Sequence, residues 1–198
     1  MGSSYMEVFD VYLVAINVIG FVFFAINTWL YSNTAEGQID ALLTITCIMG
    51  GSLGILLSML IFDRKAVKAN MMSRVFIAAV FIIQVVLLLI IKGHIRTDIT
   101  ISFWKFFSEH KFLIIYILII NLVTFVAFAI DKVAAINHRS RIRIITLLGL
   151  AFIGGSIGAL VGMYALRHKT KKDYFVVGIP LIVMMQMVAL FYVMNIQF

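Results

Sequence analysis

Two pairs of residues carry the chemistry this sequence offers, Asp131-Lys132 and His168-Lys169. A histidine beside a carboxylate is a common general acid–base pair, and the same side chains can begin a metal site. Between the pairs runs Ile144 to Leu166, an apolar stretch long enough to cross a bilayer as a helix. The two motifs are therefore expected on opposite membrane faces, with no complete Asp, Lys, His, Lys set on either. A hairpin at Gly154-Gly155 is the arrangement that would make the stretch re-entrant and bring them together. The histidines His94, His110, His138 and His168 all fall in loops or linker without ligand spacing, so structural or solvent-exposed roles are expected. No nucleotide-binding glycine loop, nucleophile elbow or zinc motif is present. No catalytic residue, metal or cofactor is assigned on this basis.

A second group of polar residues lies deep in apolar sequence. Asn17, Asn121, Gln84 and Gln186 each fall near the centre of a different segment, with Thr44, Thr46, Ser52, Thr124 and Ser156 adding hydroxyls. An unpaired amide in hydrocarbon is costly, so these side chains must face the bundle and find partners, or line a path for a small solute or ion. No Asp, Glu, Lys or Arg sits at the centre of a segment, which argues against proton-coupled antiport through an embedded carboxylate. Glycines recur four apart at Gly50 and Gly54 and at Gly154, Gly158 and Gly162, with Gly51 and Gly155 beside them. Small residues at that spacing let helix backbones touch. The second and fifth segments are expected to cross there.

The elements that must position these residues follow from composition. Of 198 residues, 63% are hydrophobic and 13% charged, and mean hydropathy is +1.10. That is a membrane protein, without room for a soluble catalytic domain. The net charge of +7 points to anionic lipid headgroups rather than nucleic acid. A lone cysteine, Cys47, excludes an intramolecular disulfide framework. Six segments read as transmembrane helices: Val11 to Leu30, Ile39 to Phe62, Val75 to Ile91, Phe112 to Ile130, Ile144 to Leu166 and Phe175 to Val193. Between Lys92 and Lys111, Ile99, Ile101, Phe103, Trp104, Phe106 and Phe107 interleave with charges, as in a helix lying in the interface.

A shift of 104 residues superimposes the first three segments on the last three. Asn17 falls on Asn121, Gly50-Gly51-Ser52 on Gly154-Gly155-Ser156, Gly54 on Gly158, Lys65 on Lys169 and Lys68 on Lys172. The chain divides into a first repeat (1–91), an interfacial linker (92–111) and a second repeat (112–198). Three crossings per repeat turn the second upside down, giving an inverted pair. Asp131-Lys132 then meets Asp63-Arg64-Lys65, and His168-Lys169 meets Asn27-Thr28. Basic residues tie at eight per face; with the linker discounted, both termini are placed in the cytoplasm.

In the second half, Phe125 to Lys132, Arg139-Ser140-Arg141-Ile142, Gly154 to Ala159, Gly162-Met163-Tyr164, Arg167 to Lys172, Phe175 and Pro180 form a combined pattern. In these residues the second half resembles the DUF1294 family of small bacterial membrane proteins. The resemblance implies three spans per copy and a bacterial inner-membrane location, and names no reaction. In the first half its Asp-Lys becomes Asn27-Thr28 and its His-Lys becomes Arg64-Lys65. The leading expectation is a transporter or channel for an unidentified small solute or ion, one chain acting as a pseudo-dimer, with a higher oligomer compatible. Its path would run past the midplane amides and glycines. The alternative is a non-transporting protein in which Arg64, Lys65, Lys68, Asp131, Lys132, Arg167, His168, Lys169 and Lys172 contact anionic headgroups or another phosphate-bearing partner.

Overall fold

The computed structural model describes residues 2–33, 40–94 and 103–196. Six stretches are long and apolar enough to cross a membrane: Glu7–Tyr31, Asp40–Phe62, Met71–Ile91, Lys111–Ile136, Ile144–Ala165 and Asp173–Asn195. They are called the first to sixth stretches below. The chain is thus an all-α, multi-pass membrane protein, as its composition requires. A short helix, Phe103–Glu109, precedes the fourth stretch. It carries exposed Trp104, and Phe106 stacks on His110 at 4.4 Å. Ile99 and Ile101 of the expected interfacial helix lie outside the described residues.

The second and fifth stretches are bent. Gly50 (φ 116°) and Gly154 (φ 127°) adopt a backbone conformation open to glycine and closed to most L residues, each inside a widened turn, Cys47–Gly51 and Ala151–Gly155. A straight 22-residue helix over Ile144–Ala165 would hold its ends about 33 Å apart. Instead, the Ile142 amide just before it and the His168 ring just after it bond the same Asp131 carboxylate, at 2.9 and 2.7 Å. The fifth stretch is a re-entrant hairpin with its tip at Gly154. The second folds in the same way. Its start is tied to the far end of the first helix by Asn27 Nδ2 donating to Asp40 at 3.3 Å, and at its end Phe62 packs on Phe21. Its tip lies near the opposite end of that helix, where the Tyr12 hydroxyl donates to the Met49 carbonyl at 2.7 Å. An arm of roughly ten residues rises about 15 Å, half of a bilayer core about 30 Å thick.

This geometry corrects the inverted repeat. With a re-entrant hairpin in each half, each half crosses twice, and the two halves run parallel. Gly178 at the start of the sixth stretch faces Val75 near the start of the third, its β-position 3.3 Å from the valine side chain. Lys68 lines the same groove as Arg167 to Lys172. At the other end, Asp10 pairs with Lys92 at 3.3 Å, placing the N-terminal helix beside the start of the linker. The expectation failed because length and hydropathy were read as one crossing, and a hairpin immersed in lipid satisfies both.

The glycine crossing between halves is corrected as well. A β-carbon on Gly54 would collide with the Asn17 backbone, and one on Gly158 with that of Asn121. Each glycine arm therefore packs on the leading helix of its own half. Between the halves, Met71, Val75 and Ala79 of the third stretch share one buried cluster with Phe175, Ile179, Ile182 and Met185 of the sixth and Leu147 and Leu148 of the fifth. A smaller cluster, including Phe24, Leu43, Cys47, Ile55, Met59 and Ile77, stays inside the first half.

Candidate functional site

The deep amides are engaged at the hairpin tips. Breaking a helix inside a bilayer frees backbone groups that water cannot reach, so side chains must satisfy them. In the first half, Gln84 donates to the Cys47 and Ile48 carbonyls at 2.6 and 3.1 Å, Tyr12 to Met49, and Asn17 accepts from the Gly54 amide at 2.8 Å. In the second, Gln186 donates to Ala151 and Phe152 at 2.8 and 3.0 Å, Tyr116 to Ile153, and Asn121 to Gly154 at 3.0 Å while accepting from Gly158 at 2.6 Å. Ser52 and Ser156 donate to Gln84 and Gln186. Bonds to the tips thus account for all four deep amides, Asn17, Asn121, Gln84 and Gln186. Beside the first tip, a cavity of about 670 Å³ is lined by Asn17, Gln84, Gly50 and Gly54 together with a majority of apolar side chains such as Phe9, Leu13 and Phe81.

The two chemistry-bearing pairs meet at the other end of the hairpin. Asp131 sits in the last turns of the fourth stretch, fully buried. Its Oδ1 accepts from the Ile142 amide, and its Oδ2 faces His168 Nε2 at 2.7 Å, Lys169 Nζ at 2.8 Å and Arg141 at 3.6 Å. Next to it, Lys132 donates to the Leu166 carbonyl at 2.6 Å, satisfying the C-terminus of the second arm. One Asp-Lys dipeptide thus grips the entry and exit of the hairpin. Lys169 also lies over the Phe175 ring, 4.7 Å from its centroid. Burial pushes the Lys169 ammonium below its ordinary value against the pull of Asp131, and the charges of Arg141 and Lys68 push it further the same way. The expectation that these motifs lie on opposite faces is therefore corrected.

Above the cluster opens a groove of about 1110 Å³. Lys68, Arg141, Arg143, Arg167, Lys169, Lys171 and Lys172 line it with His168, and among the described residues no carboxylate does. Ala66, Val67, Met71, Ile144, Ile145 and Tyr174 form its apolar wall. Lys68, Ala66, Val67 and Met71 come from the first half, so both halves build it. Arg64 and Lys65 lie on the same loop, exposed, but do not line the groove. Among the described residues no cluster of three or more His, Cys, Asp and Glu is arranged to hold a metal. Sequence reasoning missed Arg141 and Arg143 as groove residues and Tyr12 and Tyr116 as tip residues. The 104-residue spacing of the two tyrosines was the signal available for the second pair.

The model of "Protein of unknown function (DUF1294)" matches residues 121–175, from the amide at the hairpin tip to the ring beneath Lys169. The chain is also 37% identical over 79 residues to "Uncharacterized protein YsdA" of Bacillus subtilis (strain 168), an alignment covering 39% of this chain and 89% of that protein. No solved structure matches. With the match spanning nearly all of that relative, and the family model covering the clasped hairpin itself, the chain belongs to the DUF1294 family.

Proposed function

We propose that this is a bacterial cytoplasmic-membrane protein whose basic groove binds phosphate-bearing amphiphiles, anionic lipid headgroups foremost. The observation that carries this reading is the groove itself: seven Lys and Arg and a histidine, no carboxylate among the described residues, and an apolar wall alongside. Such a surface takes an anionic head and an apolar tail together. The transport reading has the cavity beside the first tip, but it is mostly apolar, and its amides Asn17 and Gln84 are bonded to the hairpin backbone. The parallel halves also remove the charge tie. Arg64 to Arg74, Lys132 to Arg143 and Arg167 to Lys172 carry four basic residues each on the groove face, twelve of the sixteen in the chain. The positive-inside rule then places the groove in the cytoplasm and both termini outside, reversing the sequence expectation. Since one chain supplies both halves of the groove, a monomer suffices.

The test is the thermal stability of the purified protein in neutral detergent with added lipid. Phosphatidylglycerol is expected to raise the melting temperature where phosphatidylcholine does not. Replacing Lys68, Arg143, Lys171 and Lys172 by Gln is expected to weaken the apparent affinity at least tenfold, at about 1 kcal/mol per surface charge, and added salt to weaken the wild type. Equal response to both lipids overturns the reading.

A further inference from the structure

We propose that His168, oriented by Asp131, is the general base of a phosphoester-hydrolysing site in the floor of the basic groove. The proposal rests on the groove binding a phosphate-bearing amphiphile, and adds that the bound phosphate reacts. A straight fifth helix would hold Asp131 and His168 on opposite faces and forbid such a site. The hairpin removes that objection.

Several observations converge on His168. Its Nε2 lies 2.7 Å from Oδ2 of a carboxylate that is fully buried. A ring that donates from Nε2 carries its lone pair on Nδ1, the form a general base requires. The imidazole lines the groove while only 12% of its side chain is exposed, so it is held in place and not free in solvent. On either side of it, Arg167 (φ 46°) and Lys169 (φ 65°) both hold left-handed backbone conformations that non-glycine residues adopt rarely. At Arg167 this conformation closes the second arm, with the Arg167 and His168 amides donating to the Tyr164 and Met163 carbonyls at 3.1 and 2.9 Å, so the helix cap itself fixes where the imidazole stands. The corresponding positions of the first half hold Asn27 and Arg64, so the chain carries one such pair.

The substrate class follows from the walls: a phosphate monoester or diphosphate on an apolar tail, the head among Arg143, Lys171 and Lys172 and the tail along Ile144 and Ile145. In the step, His168 Nδ1 takes a proton from water as the water oxygen forms a bond to phosphorus. The bond from phosphorus to the bridging oxygen breaks, its electron pair leaving with that oxygen, which takes the proton back from His168. The products are inorganic phosphate and the alcohol, or the monophosphate from a diphosphate. The surrounding cations offset the charge gathering on the phosphoryl oxygens. Asp131 acts through His168 as a positioning residue.

The experiment uses the full chain in mixed micelles with phosphatidic acid or farnesyl diphosphate as the probe, with phosphate release and probe binding measured separately. Wild type is expected to release phosphate from at least one probe. His168→Gln keeps a donor for Asp131 but cannot relay a proton; it is expected to lower kcat at least 100-fold with KM and binding unchanged. Asp131→Asn is expected to lower kcat with KM within twofold. His168→Asn gives a second variant, and retained binding reports that each is folded. Binding without phosphate release from either probe by wild type overturns the catalytic proposal and leaves the binding function standing, as does wild-type kcat in His168→Gln. Absence of binding by wild type overturns both.

Discussion

The two halves share the hairpin tip and differ at its mouth. At the tips, Tyr12, Asn17 and Ser52 stand 104 residues from Tyr116, Asn121 and Ser156 and engage equivalent backbone groups. Gln84 and Gln186 do the same at a spacing of 102, so the register slips by two residues between Lys68 and the third stretch. At the mouths, Asp131 gathers His168, Lys169, Arg141 and the Ile142 amide, while at the matching place Asn27 bonds Asp40 at 3.3 Å. The exit of the first hairpin is held separately, by Asp63 with Asn70 and Arg74. What both halves keep is what a re-entrant backbone requires in lipid. What one half keeps is free to be chemistry.

The sharpest way to break this comparison is topological. Single cysteines at Asn33 and Asn137, equivalent positions in the parallel halves, are expected to react with a membrane-impermeant maleimide from the same side. Labelling from opposite sides restores the inverted repeat and removes the shared groove.

Next in size are the glycine contacts. Gly54→Leu and Gly158→Leu each drive a side chain into a backbone that cannot yield, and both are expected to cost about 3 kcal/mol or more, the upper end of overpacking. Size-exclusion chromatography in detergent should show loss of folded protein for both. A normal profile for one alone would show that the halves are not packed alike.

At the mouths the halves should diverge. Asp131→Ala leaves His168 and Lys169 without their buried partner and is expected to cost about 3 kcal/mol. Asn27→Ala removes an exposed, uncharged amide 3.3 Å from Asp40 and is expected to cost under about 1 kcal/mol. Equal melting temperatures for the two variants would erase the distinction. At the tips the halves should agree instead: Gln84→Leu and Gln186→Leu each strand two carbonyls and should cost about 1 to 2 kcal/mol, the same within error. A large inequality between them would show that one tip is supported by other means.

The sequence alone established the membrane class, the six apolar stretches and the family, and read a 104-residue register that holds through Lys68 but not for the third stretch. Each is a property of composition or of spacing along the chain, which hydropathy and residue identity report directly. It also identified the important deep residues, since an amide in hydrocarbon must have a partner, but it could not name the partner. Tertiary structure decided whether Ile144–Ala165 crosses or returns. Twenty-two apolar residues are equally content in lipid as one straight helix or as two arms, so hydropathy is blind to the choice. The decision lies in the left-handed turn at Gly154, the carbonyls that Gln186, Tyr116 and Asn121 cover, and the grip of Asp131-Lys132 on both ends. From that one fold-back follow the parallel halves, the single basic face and the meeting of Asp131 with His168, none of which spacing along the chain can reveal.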